Sequence, residues 1–119
     1  MKKQGSVGKK RNVINIKVTG TERDVEQIAS NKTFQSYQLN VNKDGVFIVS
    51  PTEAGAFYAL QTLVGLQKAP NTLQGCKVVD EPRFNWRGYM IDCSRHYWTP
   101  AFIKKQIDMM AHFKLNRLH

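Results

Sequence analysis

The run Trp86 to Ile91 sets the tightest limit on the fold. It is largely apolar on both faces, which suits a strand covered on both sides, as in a parallel sheet. Thr99-Pro100 then opens a helix predicted from about Pro100 to Phe113, with Phe102, Ile103, Ile107, Met110 and Phe113 at helical spacing. Leu115 to His119 reads as the first residues of another strand. A β-α-β unit begins here, and the 119 residues end before it is finished. A complete (β/α)8 barrel, at roughly 250 residues, is excluded.

The upstream part has a different pattern. Val13 to Thr19 alternates, with Ile14, Ile16 and Val18 on one face, as expected of a half-buried strand. Thr21 to Ser30 suggests a short helix, since Thr21 followed by Asp24 resembles a capping box. Gln35 to Val41 and Val46 to Val49 flank Asn42-Lys43-Asp44-Gly45, where Asp44-Gly45 supplies the positive φ of an antiparallel hairpin. Ser50-Pro51-Thr52-Glu53 reads as a helix start, with a capping hydroxyl and proline at the first helical position. That helix is predicted to reach about Leu66 and to pack through Phe57, Leu60, Leu63 and Val64, with Ala56 and Tyr58 at the margins. Cys76 to Val79 completes the sheet. The expected fold class is α+β, a small antiparallel sheet with a packed helix, followed by the first β-α unit of a truncated (β/α)8 barrel. The expected divisions are a basic tail over 1–12, a small α+β domain over 13–80 and the barrel's opening over 81–119.

Composition narrows the classes of function. The net charge of +9 suggests an acidic partner, but Lys2, Lys3, Lys9, Lys10 and Arg11 hold five of the 18 basic residues, leaving 13 against 9 acidic ones, or +4, for the rest. Most of the excess is a tail, so no specific nucleic-acid partner is expected. No run approaches the roughly 20 apolar residues of a membrane helix. Gln4 to Asn12 is polar where a signal peptide would be apolar, so no export address is read there. Cys76 and Cys93 are expected as free thiols, and the seven-residue spacing of His112 and His119, with no further spaced ligands, argues against a metal site.

Chemistry concentrates in Asp92-Cys93-Ser94-Arg95-His96-Tyr97-Trp98, between the apolar strand and its helix. Ligands of α/β folds bind beside the carboxyl ends of parallel strands, which is where this loop falls. Arg95 offers a rigid fork of donors for hydroxyl or carboxylate oxygens, Asp92 can hold the fork, and Tyr97 or Trp98 can face a ring. The same Asp/Arg pair also serves as a structural ion pair. His96 is equally compatible with a packed, hydrogen-bonded role, and the nearness of Cys93 to Ser94 and His96 supplies no triad geometry.

The residues PRFNWRGYMIDCSRHYWTPAFIKKQIDMMAHFKLNRLH, Pro82 to His119, resemble the start of the catalytic barrel of family 20 glycoside hydrolases, the β-N-acetylhexosaminidases. The WRG strand, the D-x-S-R-H loop, the first helix and the N-x-L-H opening of the second strand occur in that family's order. YQLNVNKDGVFIVSPTEAGAFYALQTLVGL, beginning at Tyr37, is similar to the small α+β domain that precedes the barrel. The resemblance implies hydrolysis of terminal, non-reducing β-linked N-acetylglucosamine or N-acetylgalactosamine, with retention. The substrate's own 2-acetamido oxygen attacks the anomeric carbon, a departure from the two-carboxylate scheme. It maps the sugar-binding arginine onto Arg95, with Asp92 and His96 as supporting neighbours, and implies no cofactor. The family's catalytic Asp-Glu pair lies on later strands, and Asp80-Glu81 does not map onto it. The chain alone is therefore expected to be inactive, and a complete parent is compatible with a periplasmic or secreted setting. Two alternatives stay open: a non-catalytic module that self-associates through Trp86, Tyr89, Met90, Ile91 and Phe102, and a basic nucleic-acid binder acting through its tail.

Overall fold

The computed structural model describes residues 13–20, 25–70 and 72–119. Four strands form one sheet: β1 (Ile14–Val18), β2 (Tyr37–Asn42), β3 (Gly45–Ser50) and β4 (Cys76–Asp80), in the order β1-β3-β2-β4. The hairpin β2–β3 and the pair β2–β4 are antiparallel, but β1 runs parallel to β3, so the sheet is mixed rather than antiparallel. The cause is topological. The connection through α1 (Val25–Ser30) and a 3-10 turn (Lys32–Gln35) carries the chain past β3's position to β2, and the hairpin then returns β3 beside β1. The Thr21–Asp24 capping box lies outside the described residues. Gly45, and not Asp44, takes the positive φ, at 140°. A Cβ there would approach the Val13 carbonyl oxygen to 2.7 Å, so the turn needs glycine for space as well as for φ.

The core lies between the sheet and α2 (Glu53–Gly65). Tyr37, Leu39 and Val41 of β2 and Val46 and Ile48 of β3 point inward, as period-two alternation requires. Burying Leu39 and Ile48 stabilises the fold by about 2 kcal/mol each. The helix turns a different stripe to the sheet than its large apolar residues suggested. Gly55, Ala56, Tyr58, Ala59 and Leu63 are buried, whereas Phe57 and Val64 are exposed. Close approach explains the shift: a Cβ on Gly55 would collide with the Ser36 carbonyl oxygen and the Ser50 hydroxyl, so small residues must form the contact. The helix start also differs. Thr52 is the N-cap, accepting from the Gly55 N–H at 3.3 Å, and Ser50 ends β3 with its hydroxyl 2.9 Å from the Ser36 carbonyl oxygen.

Strand β1 departs from its expected half-burial. Ile14, Ile16 and Val18 face the core side, in register with Val46, Ile48 and Ser50, yet remain 52%, 48% and 39% exposed. The packed side of α2 lies mainly over β2 and β3, leaving this edge strand only partly covered by described residues.

Beyond β4, β5 (Gly88–Tyr89) and β6 (Arg117–Leu118) pair in parallel around α3 (Pro100–His112), a right-order β-α-β unit of small extent. The expected two-sided burial of Trp86 to Ile91 is not observed: the strand has two residues, and Trp86 and Met90 are 71% and 68% exposed. Among the described residues only β6 pairs with this strand, and Arg87, Tyr89 and Ile91 are half-buried rather than buried. Helix α3 starts as expected, Thr99 capping and Pro100 at the first position. It ends in a Schellman arrangement, Leu115 N–H to Met110 O at 2.8 Å and Lys114 N–H to Ala111 O at 3.1 Å, with Lys114 left-handed at φ 57°.

Candidate functional site

The loop after β5 is built around Asp92. Its Oδ1 accepts the backbone N–H groups of Ser94 at 2.8 Å and Arg95 at 3.2 Å, an Asx turn that folds the loop back on itself. Its Oδ2 lies 3.4 Å from Arg95 Nε. Its carbonyl accepts the Trp98 indole N–H at 3.0 Å, and the indole stacks on Phe102 with centroids 4.4 Å apart. The loop is thereby fastened to the first turn of α3. His96 Nδ1 donates to the Arg95 carbonyl at 2.9 Å, and the imidazole meets the Trp98 ring edge-on at 5.7 Å.

These side chains border a concavity of about 360 Å³ shared by Tyr89, Met90, Ile91, Asp92, Trp98 and Phe102. The Arg95 side chain is 90% exposed, and only its Nε is engaged, so both terminal nitrogens face outward among the described residues. A planar fork oriented by a carboxylate beside an aromatic wall can donate to vicinal hydroxyls. No hydrogen bond joins Cys93 to Ser94 or His96, both cysteines are free thiols, and no group of three metal-ligating side chains occurs among the described residues. A larger concavity, about 530 Å³, lies between the start of β1, β3 and the end of α2. Its lining is mostly apolar, through Val13, Ile14, Val46, Leu63, Val64 and Leu73, with Asn42, Lys43 and Gln67 adding polar groups and no carboxylate.

Two polar clusters that sequence reasoning missed join the segment carrying this loop to the upstream part, the first at the sheet and the second at α1 and the 3-10 turn. In the first, Lys114 Nζ donates to Tyr37 Oη at 2.7 Å and to Asp80 Oδ2 at 2.8 Å, and Tyr37 donates to Asp80 at 2.7 Å. The Tyr37 proton being so used, Thr62 donates to Tyr37 at 2.6 Å. Burial pushes the Tyr37 phenol up from its ordinary value. In the second, the buried Gln35 amide donates to the carbonyls of Ile28 and Ala29, while its oxygen accepts from Arg87 Nη2 at 2.7 Å and Asn116 Nδ2 at 3.2 Å. Arg117 adds a two-pronged pair to Glu26 at 2.8 and 2.9 Å and lies over the Trp86 ring. The partners stand up to 91 residues apart. Asp80, read from the sequence as linker, is a member of the first cluster, and Glu81 stands 3.8 Å from Lys32. Both clusters sit where β5 and β6 begin, so the loop of Arg95 projects from the opposite, carboxyl end of β5.

Two family descriptions match the chain in order: "Glycosyl hydrolase family 20, domain 2" over residues 3–81 and "Glycosyl hydrolase family 20, catalytic domain" over residues 84–119. The chain belongs to glycosyl hydrolase family 20. A β-hexosaminidase of Porphyromonas gingivalis is 42% identical over 95 residues, which cover 71% of this chain and 12% of that protein. A mutant Streptomyces plicatus β-hexosaminidase solved with its product N-acetylglucosamine is 30% identical and superposes with a TM-score of 0.72, covering 89% of this chain and 21% of that one. The family 20 β-N-acetylhexosaminidase of Streptomyces coelicolor A3(2) is 29% identical, with a TM-score of 0.73 over 91% of this chain and 22% of its own. The chain thus spans between about an eighth and just over a fifth of these relatives.

Proposed function

We propose that residues 13–80 are the small α+β domain and residues 81–119 the opening of the (β/α)8 catalytic domain of a β-N-acetylhexosaminidase, with 1–12 a basic tail. The completed enzyme removes terminal β-linked N-acetylglucosamine or N-acetylgalactosamine by substrate-assisted, retaining hydrolysis. In that site Arg95 donates to hydroxyls on the far side of the terminal sugar, Asp92 fixes the guanidinium, and His96 supports the loop. The observation that carries this reading is the D-x-S-R-H loop itself: an arginine oriented by Asp92, its terminal nitrogens unengaged, beside the Trp98–Phe102 stack, within the segment that matches the family's catalytic domain. The catalytic acid and the group that orients the acetamide belong to later strands. An amide oxygen attacks usefully only when held against the anomeric carbon with its developing charge stabilised, and Arg95 alone supplies neither.

The test is a pair of assays on a chromogenic N-acetylglucosaminide. The 119-residue chain is expected to give no turnover above the buffer blank. A chimera in which it replaces the matching segment of the Porphyromonas gingivalis relative is expected to be active. Turnover by the purified chain alone, or a folded chimera without activity, contradicts the reading. Self-association of the isolated chain is a companion expectation: of Trp86, Tyr89, Met90, Ile91 and Phe102, Trp86 and Met90 are 71% and 68% exposed, whereas Tyr89, Ile91 and Phe102 are half-buried. Gel filtration over a range of concentrations reads it, and a monomer throughout refutes it.

A further inference from the structure

The outer face of the four-stranded sheet, opposite α2, is a second flat surface that neither the polar clusters nor the Arg95 loop uses. The register places two rows across it. Asn15, Phe47, Asn40 and Lys77 form one, and Lys17, Val49, Gln38 and Val79 the other. All eight side chains belong to exposed residues. Adjacent strands lie about 4.8 Å apart, so each row is about 14 Å long, the length of roughly three sugar rings.

The composition of the rows is selective. Phe47 presents an exposed ring in the middle of the sheet, flanked on its own row by the amides of Asn15 and Asn40. Lys17 and Lys77 stand on opposite edge strands and opposite rows, at the two ends of one diagonal. No carboxylate occurs among the eight, and neither lysine has an ion-pair partner among the described residues. Lysines on edge strands discourage sheet-to-sheet pairing. That role accounts for the lysines and leaves the central ring between paired amides unexplained. An aromatic ring stacks on the apolar face of a sugar, amides bond its hydroxyls in either direction, and ammonium groups pair with acidic substituents.

We propose that this face binds an acidic glycan, a chain carrying carboxylates along its length, which lies across the strands over Phe47 and is held at its ends by Lys17 and Lys77. The surface is independent of the Arg95 loop, so it stands or falls separately from the hydrolase reading. The test is two-dimensional NMR of the full chain titrated with a hyaluronan octasaccharide, with chitotetraose as a neutral glycan and an oligothymidylate octamer as a non-glycan anion in separate arms. Hyaluronan is expected to shift the amides of residues 15–17, 38–40, 47–49 and 77–79 and to leave 92–98 unmoved. Phe47→Leu, at an exposed position that keeps the fold, is expected to weaken binding by about fivefold or more through loss of the ring. Lys17→Gln with Lys77→Gln is expected to weaken it and flatten its salt dependence. A control replacing Lys2, Lys3, Lys9, Lys10 and Arg11 with glutamine is expected to retain the response. Shifts confined to residues 1–12, no binding, equal affinity for the oligothymidylate, or equal affinity for chitotetraose would each overturn the proposal.

Discussion

Replacing Lys114 separates two opposed contributions made by one residue. Its left-handed backbone, φ 57°, costs about 1 kcal/mol relative to glycine. Its ammonium donates to Asp80 and Tyr37 at 2.8 and 2.7 Å. The side chains of the ion pair are 28% and 39% exposed, so solvent screens it, and its worth is about 1–2 kcal/mol rather than that of a fully buried pair. Lys114→Met keeps the strained backbone and removes the bonds, for an expected loss of about 1–2 kcal/mol. Lys114→Gly removes both, for a net loss of about 0–1 kcal/mol. Urea unfolding followed by tryptophan fluorescence measures each at neutral pH and across a pH series. For Asp80, burial alone raises the pKa, but the bonds from Lys114 and Tyr37 outweigh it and hold the carboxyl below its ordinary 3.8. Its contribution is therefore present above that value and is lost as pH falls through the lower folded one. For Lys114, burial lowers the pKa, and Asp80 and Tyr37 together raise it above 10.5, so its contribution is lost as pH rises through the higher folded value. The difference between wild type and Lys114→Met is expected to be flat across neutral pH and to narrow at both extremes. Equal losses for the two variants, or a difference indifferent to pH, would refute the reasoning.

Gln35→Ala leaves Arg87 Nη2 without its acceptor and the Ile28 carbonyl without its side-chain donor, while Asn116 Nδ2 keeps the carbonyls of Asn85 and Ala29, for an expected loss of about 1–3 kcal/mol by urea unfolding. Hydrogen exchange should then show β5 and β6 losing protection before β2 and β3, and uniform loss would contradict the role given to this cluster. Gly55→Ala forces apart the contact between α2 and the β3 end, and is expected to cost about 3 kcal/mol or more in the same measurement. Arg95→Ala, at a 90% exposed side chain, should change stability by no more than about 0.5 kcal/mol, so a large thermal destabilisation would make Arg95 a structural residue.

What could be read ahead of the structure follows the range of the forces involved. The β2–β3 hairpin, the Thr99-Pro100 start of α3 and the Asp92–Arg95 pairing are made by neighbours in sequence, and all were legible. The parallel placement of β1, the small-residue stripe of α2 and the two polar clusters depend on partners brought together by folding. Gln35 looks like the first residue of an alternating strand, and only its carbonyl neighbours in α1 and the distant Arg87 and Asn116 make its burial tolerable. Trp86 to Ile91 shows the converse. Its apolar pattern specifies a strand with layers on both sides, and in these residues only β6 lies beside it.

On the function proposed above, Arg95 binds the sugar in the completed barrel. The most direct test is kcat/KM of the chimera on the chromogenic N-acetylglucosaminide, with Arg95 and with Arg95→Ala. Charge-assisted hydrogen bonds contribute about 1.5–3 kcal/mol each, so loss of two predicts a fall of about a hundredfold or more with the fold unchanged. An Arg95→Ala chimera that keeps the full kcat/KM would mean that Arg95 does not bind the sugar.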